Sequence, residues 1–540
     1  MTPHSSAHPT ADSPDAPKPG PWAPLARRAF LMLFIAQFIS NVGTWMHTVG
    51  AQWYLVEETG SSALVAWVST ATTLPVIFLS IFAGVAADIL NRRQLLLWTS
   101  VAAMVLAAVL TGLTFADLLT PLWLLGLTLL LGCTAAVIGP AWQAIQPELV
   151  SREELPAAAS LATVTVNGAR AIGPALAGII VAAQGPALVF ALNTVSFAVV
   201  ALALLAWRRA PVATAHTERA AEAMIAGLRY IWAAPSIRRV LFRSLLFTFP
   251  ASALWALLPV AASTLLDAGA DGYSALLALM GAGAVAGVLI NPWLREHFSS
   301  SALTWISCGL FGAGTAATVL LPFVGAAAGA FLAGVGWVIA LTLVTAGMQL
   351  LLPAWVRARG MSVYLLVFMG AQAVGSFFWG VVSEAVGVRM TLLVTAGLLV
   401  VVAVTTLRWP LPATIGALDR TSVPLSSDQA LWMPADEEAD RPVEIQIEYT
   451  VALVDADAFE DAAAPLRLAR MRTGARQWRL VEWERSPKHV VYRERFLTSS
   501  GRDHARQHSD RWTGSDAELV ERLRSLSTRP VQVSHHIVRM

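Results

Sequence analysis

The sequence predicts an all-α polytopic membrane protein, twelve spans in two six-helix repeats, followed by a small soluble domain of α+β type. Hydrophobic residues make up 56% of the 540 and charged residues only 13%, where soluble chains carry about 25% charged residues. Apolar runs near the ~20 residues that a bilayer demands recur as two sets of six between Ala29 and Leu407. Past Trp409 these runs stop, and short alternating segments with dense charge take over.

Taken in order, residues 1–28 are rich in Pro, Ser, His and Ala and read as a disordered cytoplasmic tail. The run Ala29–Val56 is too long for a signal core and has no obvious cleavage site after it, so it reads as the first span. Residues 29–207 hold the first bundle, with further runs at Ala63–Ala87, Leu95–Ala116, Leu122–Ala144, Pro156–Ala183 and Ala187–Trp207. Residues 240–409 hold the second, with runs at Leu241–Leu266, Ser274–Leu294, Ala302–Leu321, Gly325–Leu351, Met361–Val386 and Met390–Leu407. Residues 208–239 connect the bundles. There Ala221, Met224, Ile225, Leu228, Ile231 and Trp232 form one helical face with Arg219, Glu222 and Arg229 off it, as expected of an amphipathic helix on the inner leaflet. Residues 410–442 are a linker with the acidic cluster Asp436, Glu437, Glu438 and Asp440, and residues 443–540 are the soluble domain.

Loop charge sets the orientation. Arg92 and Arg93, Arg152, Arg208 and Arg209, Arg295, and Arg357 and Arg359 fall on one side; Glu57 and Glu58, Asp117, and Asp267 and Asp271 fall on the other, with Arg389 the exception. Because Lys and Arg are retained inside during insertion, both termini are expected in the cytoplasm of a bacterial inner membrane protein. The halves also repeat: Gly84-x-x-x-Asp88 with Arg92 recurs as Gly287-x-x-x-Asn291 with Arg295, and Arg170-x-x-Gly173-x-x-x-x-Gly178 recurs as Gln372-x-x-Gly375-x-x-x-x-Gly380. This is the pattern of two parallel repeats about an axis along the membrane normal.

Ionisable groups within spans are expensive and are functional candidates by default. His47 stands in the first span beside Asn41, Trp45 and Gln52, Arg170 in the fifth with Asn167, and Glu384 near the outer end of the eleventh. His47 is either a proton acceptor or a hydrogen-bonded packing residue. Arg170 either binds an anionic substrate or pairs with a carboxylate to hold one state. Asn41, Trp45, His47, Arg170, Gln372 and Glu384 are therefore the candidates for substrate contact or coupling. Trp123, Trp207 and Trp409 fall near expected interfaces, whereas Trp45, Trp53, Trp67 and Trp379 either pack or line an aromatic cavity. Cys133 and Cys308 sit inside apolar runs, where they act as small hydrophobes, and no metal site or cofactor is expected. Basic residues cluster by loop and not as a binding face, so nucleic acid is not an expected partner.

The stretch Gly84-Val-Ala-Ala-Asp88-Ile-Leu-Asn-Arg92-Arg93 joins two apolar runs and resembles the loop between the second and third helices of the major facilitator superfamily. Ile89 stands where that loop usually has a basic residue, and Asn91 where it has a second glycine. The resemblance implies a gating loop in which Gly84 permits close helix approach and Asp88 meets a helix N-terminus or an arginine. The segment Arg170-Ala-Ile-Gly173-Pro174-Ala-Leu-Ala-Gly178 resembles the fifth-helix motif of exporters in that superfamily, a kinked small-residue seam between helices, either a rocking interface or plain packing. With Asn41-Val-Gly-Thr-Trp45-Met, Gly139-Pro-Ala-Trp-Gln143 and Pro353-x-Trp-Val-Arg-x-Arg-Gly-Met-Ser-x-Tyr364, residues 27–407 are similar to the enterobactin-exporter type, whose relatives include siderophore and drug exporters.

In the soluble domain Val443, Ile445, Ile447, Tyr449 and Val451 alternate as a half-buried strand should. A helix over 458–473 stopped by Gly474, strands over 477–484 and 489–497, a helical region over 503–526 and a last strand over 531–538 complete a ferredoxin-like order. This resembles the dimeric barrel of cofactor-free antibiotic-biosynthesis monooxygenases, which implies possible dimerisation through the domain and a cavity near Trp478, Trp483, His489 and His504. His504 and His508 stand one turn apart, but no third ligand has a recognisable spacing, and the pair reads as a solvated helix face.

The resemblance thus implies a lipid-embedded exporter of a small organic molecule, working by alternating access around a cavity between the bundles, with proton antiport. Two rivals keep the transporter and differ over the C-terminal domain: a monooxygenase-like enzyme acting on the cargo, or a ligand-sensing or dimerising regulator.

Overall fold

The computed structural model describes residues 20, 22–207, 228–410 and 439–538. The apolar runs fold as twelve long helices: α1 (Arg28–Thr59), α2 (Ser62–Ile89), α3 (Arg92–Phe115), α4 (Pro121–Leu149), α5 (Leu155–Gln184), α6 (Pro186–Ala206), α7 (Pro235–Leu266), α8 (Ala270–His297), α9 (Ser300–Leu320), α10 (Phe323–Leu351), α11 (Ala354–Val386) and α12 (Val388–Arg408). Among the described residues, eleven helices are long and apolar enough to cross a membrane, and α5 adds the shorter apolar stretch Gly168–Gln184. The expected N-terminal tail up to residue 19, half of the amphipathic stripe (Ala221, Met224 and Ile225) and the acidic residues Asp436, Glu437 and Glu438 lie outside the described residues.

The chain divides into two compact units, residues 1–50 with 79–211 and residues 51–78 with 212–540. The last turns of α1 and the first half of α2 therefore group with the later helices. In the first unit, Phe30 and Leu33 of α1, Leu96 of α3, Ile145 and Leu149 of α4, Leu161 of α5 and Leu204 of α6 form one buried cluster. Its polar ends are closed by side chains. Asn91 accepts from the backbone N–H groups of Arg93 and Gln94 and so caps α3, and Arg93 donates to the carbonyls of Leu204 (2.7 Å) and Leu205 (3.0 Å) at the end of α6. In the second unit Arg243, 6% exposed, does the same for α12, reaching the carbonyls of Val402 and Trp409 and the hydroxyl of Thr405. Helix ends leave carbonyls without partners, and these arginines supply the missing donors.

Lipid offers helices no hydrophobic reward for touching, so close van der Waals approach has to hold them. Glycine makes that approach possible. A Cβ on Gly173 of α5 would lie 2.6 Å from Trp45 Cβ and 3.0 Å from the Val42 carbonyl of α1. Its repeat partner Gly375 on α11 meets the first helix of its own half in the same way: a Cβ there would lie 2.3 Å from Ser252 Oγ and 2.8 Å from the Phe249 carbonyl of α7. The turns that follow correspond too, since α5–α6 and α11–α12 each pivot on a positive-φ glycine, Gly185 (φ 76°) and Gly387 (φ 82°).

The soluble domain orders its elements β1 (Val443–Ala452), α13 (Ala456–Thr473), β2 (Arg476–Arg485), β3 (His489–Thr498), α14 (Gly501–Arg506), a π-helical turn (Gln507–Arg511), α15 (Gly514–Ser525) and β4 (Gln532–Ile537). The sheet runs β2-β3-β1-β4 with every neighbouring pair antiparallel. β1 buries alternate residues as its sequence pattern requires, and α13 ends at Gly474 (φ 142°). The expected single helical region is instead broken at Trp512, because Thr513 accepts the Asp516 N–H and starts α15 afresh. Alternation on β3 turns Glu494 inward, 1% exposed, where it accepts from Arg470 (3.0 Å), Trp478 (2.8 Å) and Tyr449 (3.0 Å). Such a buried carboxylate is tolerated only because all its partners are in place.

Gly375→Val forces a side chain into backbone already at contact distance. We expect a loss of about 2 kcal/mol, within the usual range for overpacking, read as a lower thermal midpoint of the detergent-solubilised chain. Gly397→Val, at a position with nothing within 4 Å, is the control that should leave the midpoint unchanged.

Candidate functional site

One seam in the second unit joins the α1–α2 corner to α11. Glu384, near the end of α11, accepts from Ser61 Oγ at 2.6 Å and from the Ala63 backbone N–H at 3.0 Å, so one helix caps the N-terminus of another. The carboxylate thereby meets the positive end of the α2 dipole as well as two donors. Further along the same faces, a Cβ on Gly380 would lie 2.5 Å from Ala66 Cβ, the Trp67 and Phe377 rings meet edge-on at 5.0 Å, and Thr70 donates to the Ala373 carbonyl at 3.0 Å. Residues 373, 377, 380 and 384 are one helical stripe. Beside it, Gln52 donates to Ser69 (3.2 Å) and accepts from the Tyr273 hydroxyl of α8 (2.6 Å), while the Trp53 and Tyr273 rings stack at 6.2 Å. The seam thus combines one close glycine contact, two aromatic pairs and hydrogen bonds, and is polar at its end.

The candidates in the first unit are arranged differently. The stretch Gly84–Arg93 is mostly helix and not loop: α2 continues through Gly84 and Asp88 to Ile89, because no Gly or Pro follows Gly84 to stop it, and Asn91 then starts α3. Arg92 pairs with Glu148 of α4 at 3.0 Å, and Arg93 holds the end of α6. His47, 3% exposed, contacts Thr128 of α4 through Nε2 (3.3 Å) and lies 5.3 Å from the Phe190 ring of α6. The Arg170 guanidinium stands 5.4 Å from the Trp45 ring centre, one turn from the Gly173 contact, where Pro174 and Gly178 are also buried. Asn41 accepts from Gln37 at 2.9 Å, and Gln372 is half-buried on α11. Trp53 and Trp67 belong to the seam, and Trp379 donates to the Phe249 carbonyl at 2.9 Å, so these three pack helix on helix.

The soluble domain holds a second cluster that spacing alone did not reveal. His504 and His535 meet Nε2 to Nε2 at 3.1 Å and the His508 ring lies 4.7 Å from that of His504. With Tyr449, Arg470 and Arg524 they line a space of about 10 Å³, room for a single water. The expected cavity residues separate: Trp478 bonds Glu494, and Trp483 is exposed on the outer face under Arg493, 3.6 Å from its ring centre. Among the described residues no group of three has the geometry to hold a metal ion. Burial, with the neighbouring cationic groups, lowers the His504 pKa to about 3 and the His508 pKa to about 4, and lowers that of His535.

Comparison with known proteins places this architecture. The transmembrane secretion effector family profile matches residues 19–540, the soluble domain included. The chain belongs to this family of major facilitator transporters. The staphyloferrin A transporter of Staphylococcus aureus is 22% identical over 52% of this chain and 70% of its own length. The multidrug efflux pump Tap of Mycobacterium tuberculosis is 25% identical over 38% of this chain and 51% of its own, and the enterobactin exporter EntS of Shigella boydii 27% over 53% and 70%. Among solved structures, a bacterial homologue of the lysosomal transporter Spinster superposes with a TM-score of 0.58 at 13% identity, over 70% of this chain and 95% of its own. A bacterial homologue of the iron transporter ferroportin gives 0.53 at 17%, over 71% and 98%. This secretion effector is a multi-pass membrane transporter.

Two expectations follow. Glu384→Ala removes the acceptor shared by both donors at the end of α2, and a cysteine placed at Leu64 in that variant should react with an impermeant maleimide about tenfold faster than in the parent, consistent with the loss of charge-assisted hydrogen bonds; equal rates would show that the seam does not open there. For the histidine cluster, folded pKa values below the usual 6.5 mean that the unfolded domain binds more protons. Stability should be fully present above about pH 6.5 and fall as the pH drops towards about 4, read as rising amide exchange in α14 and β4 of the intact chain.

Proposed function

We propose that this transporter exports a small organic molecule, a siderophore-like compound, drug or secondary metabolite, by alternating access with proton antiport, with both termini in the cytoplasm. Its relatives, siderophore transporters and a drug efflux pump, support the cargo class. The alternation of basic and acidic loops supports the orientation.

The observation that carries the reading is the Glu384 cap. A carboxylate at the end of a span bonds Ser61 and the α2 N-terminus, and protonation removes the charge that makes those bonds strong. A proton arriving from the outer side thus has a group to neutralise and a seam to loosen. Arg92 and Arg93, tied to Glu148 and the end of α6, brace the inner turn, and the family resemblance makes Asp88 the candidate for the opposite closure. Trp45 and Arg170 are candidates for cargo contact.

The test is efflux from cells expressing the intact chain, with dyes, antibiotics and siderophores as cargo. Energised efflux of one class is expected, abolished by collapsing the proton gradient and reduced at least about tenfold in Asp88→Ala and Glu384→Gln, the scale of an ordinary coupling energy. Efflux that survives collapse of the gradient would overturn proton antiport.

A further inference from the structure

The C-terminal domain and the bundle of the second unit share contacts that the seam does not use. Arg229, in the helical residues 228–233 that precede α7, donates to the Gly474 carbonyl at 2.7 Å and lies 3.7 Å from Asp503. Asp503 also accepts from Arg511, which in turn donates to the Thr473 carbonyl at 3.0 Å. The Arg511 guanidinium stands 5.1 Å from the ring centre of Trp355, in the first turn of α11, and Tyr230 meets that ring edge-on at 5.6 Å. Arg229, Tyr230 and Trp355 come from the membrane part; Gly474, Asp503 and Arg511 come from the soluble part. Arg229 and Asp503 keep only 17% and 13% of their side-chain exposure, which sets them apart from the loosely held ion pairs of an open surface.

Trp355 and Glu384 sit at opposite ends of one helix. α11 has 33 residues, about 50 Å of rod at 1.5 Å per residue, so a constraint on its first turn bears on the seam at its last. We propose that the C-terminal domain is a built-in lock, which stabilises the closed seam by holding the first turn of α11 and the connection before α7, and which must be released for the chain to change state. The inference rests on the transporter reading and names the residues through which the domain would act on it. Of the two roles open to the domain, regulator and enzyme, these contacts favour the first.

The experiment uses the intact chain in lipid nanodiscs without cargo. Arg229→Gln and Trp355→Leu are made on the membrane side, so the soluble domain keeps its own contacts. Amide exchange over residues 473–511 reports docking, and maleimide labelling of a cysteine at Leu64 reports the seam. Both variants should raise exchange and speed labelling about fivefold or more, the lower range of allosteric coupling, and removing residues 410–540 should speed labelling as much. Faster exchange with unchanged labelling would make the domain a tether and overturn the lock; unchanged exchange would overturn the docking contacts themselves. The efflux assay is separate. A chain that exports on a proton gradient but labels indifferently keeps the exporter reading and loses the lock, whereas one that labels as expected and moves no compound keeps the lock and loses the export reading.

Discussion

Close approach of backbones at glycine is the constraint on which the membrane part depends. In lipid the helices cannot be driven together by burial of apolar surface, and what remains is contact and hydrogen bonding. The seam between α8 and α10 takes this furthest: a Cβ on Gly283 would lie 2.0 Å from the Phe331 carbonyl, and one on Gly334 1.9 Å from that of Met280. No side chain fits there. Helices joined in this way move as one piece, because sliding either by a fraction of a turn drives carbonyl oxygen into carbon.

Motion must then occur at contacts of another kind. The junction of the α1–α2 corner with α11 has one tight glycine, Gly380, but is otherwise held by Glu384, Thr70 and an edge-on aromatic pair. Hydrogen bonds make up more of this junction than of the glycine contacts between α8 and α10. A charged cap has a further property that packing lacks, which is that its strength depends on protonation.

Much of this was legible in the residues. Run length announced the helices, and the Arg170/Gln372 repeat located both glycines, Gly173 and Gly375, that press on the first helix of each half. Glu384 stood out as an acid within a span. Its partners did not, since Ser61 lies 323 positions away and serine before a helix reads as an ordinary local cap. Asn91 looked like a departure from a glycine position when its side chain was the cap of α3. The inward Glu494 was not legible, because alternation shows which residues share a face and not which face is inward. His535 was missed for the same reason that metal and cluster motifs across a sheet are missed: the pair with His504 is set by strand order, not by spacing.

The soluble domain fits the same division of labour. Its core draws on its own residues, with Glu494 satisfied by Arg470, Trp478 and Tyr449. Among the described residues its contact with the membrane part includes an arginine on a carbonyl, a shared aspartate and a cation over an indole that also packs on Tyr230. A junction built only to anchor would bury apolar surface, which is strong and indifferent to conditions. One built from a few desolvated charges is strong only while its geometry is kept, because a displaced partner leaves a buried charge uncompensated. The strength of this contact therefore follows the geometry of Asp503 and Trp355, which stands at the opposite end of α11 from Glu384.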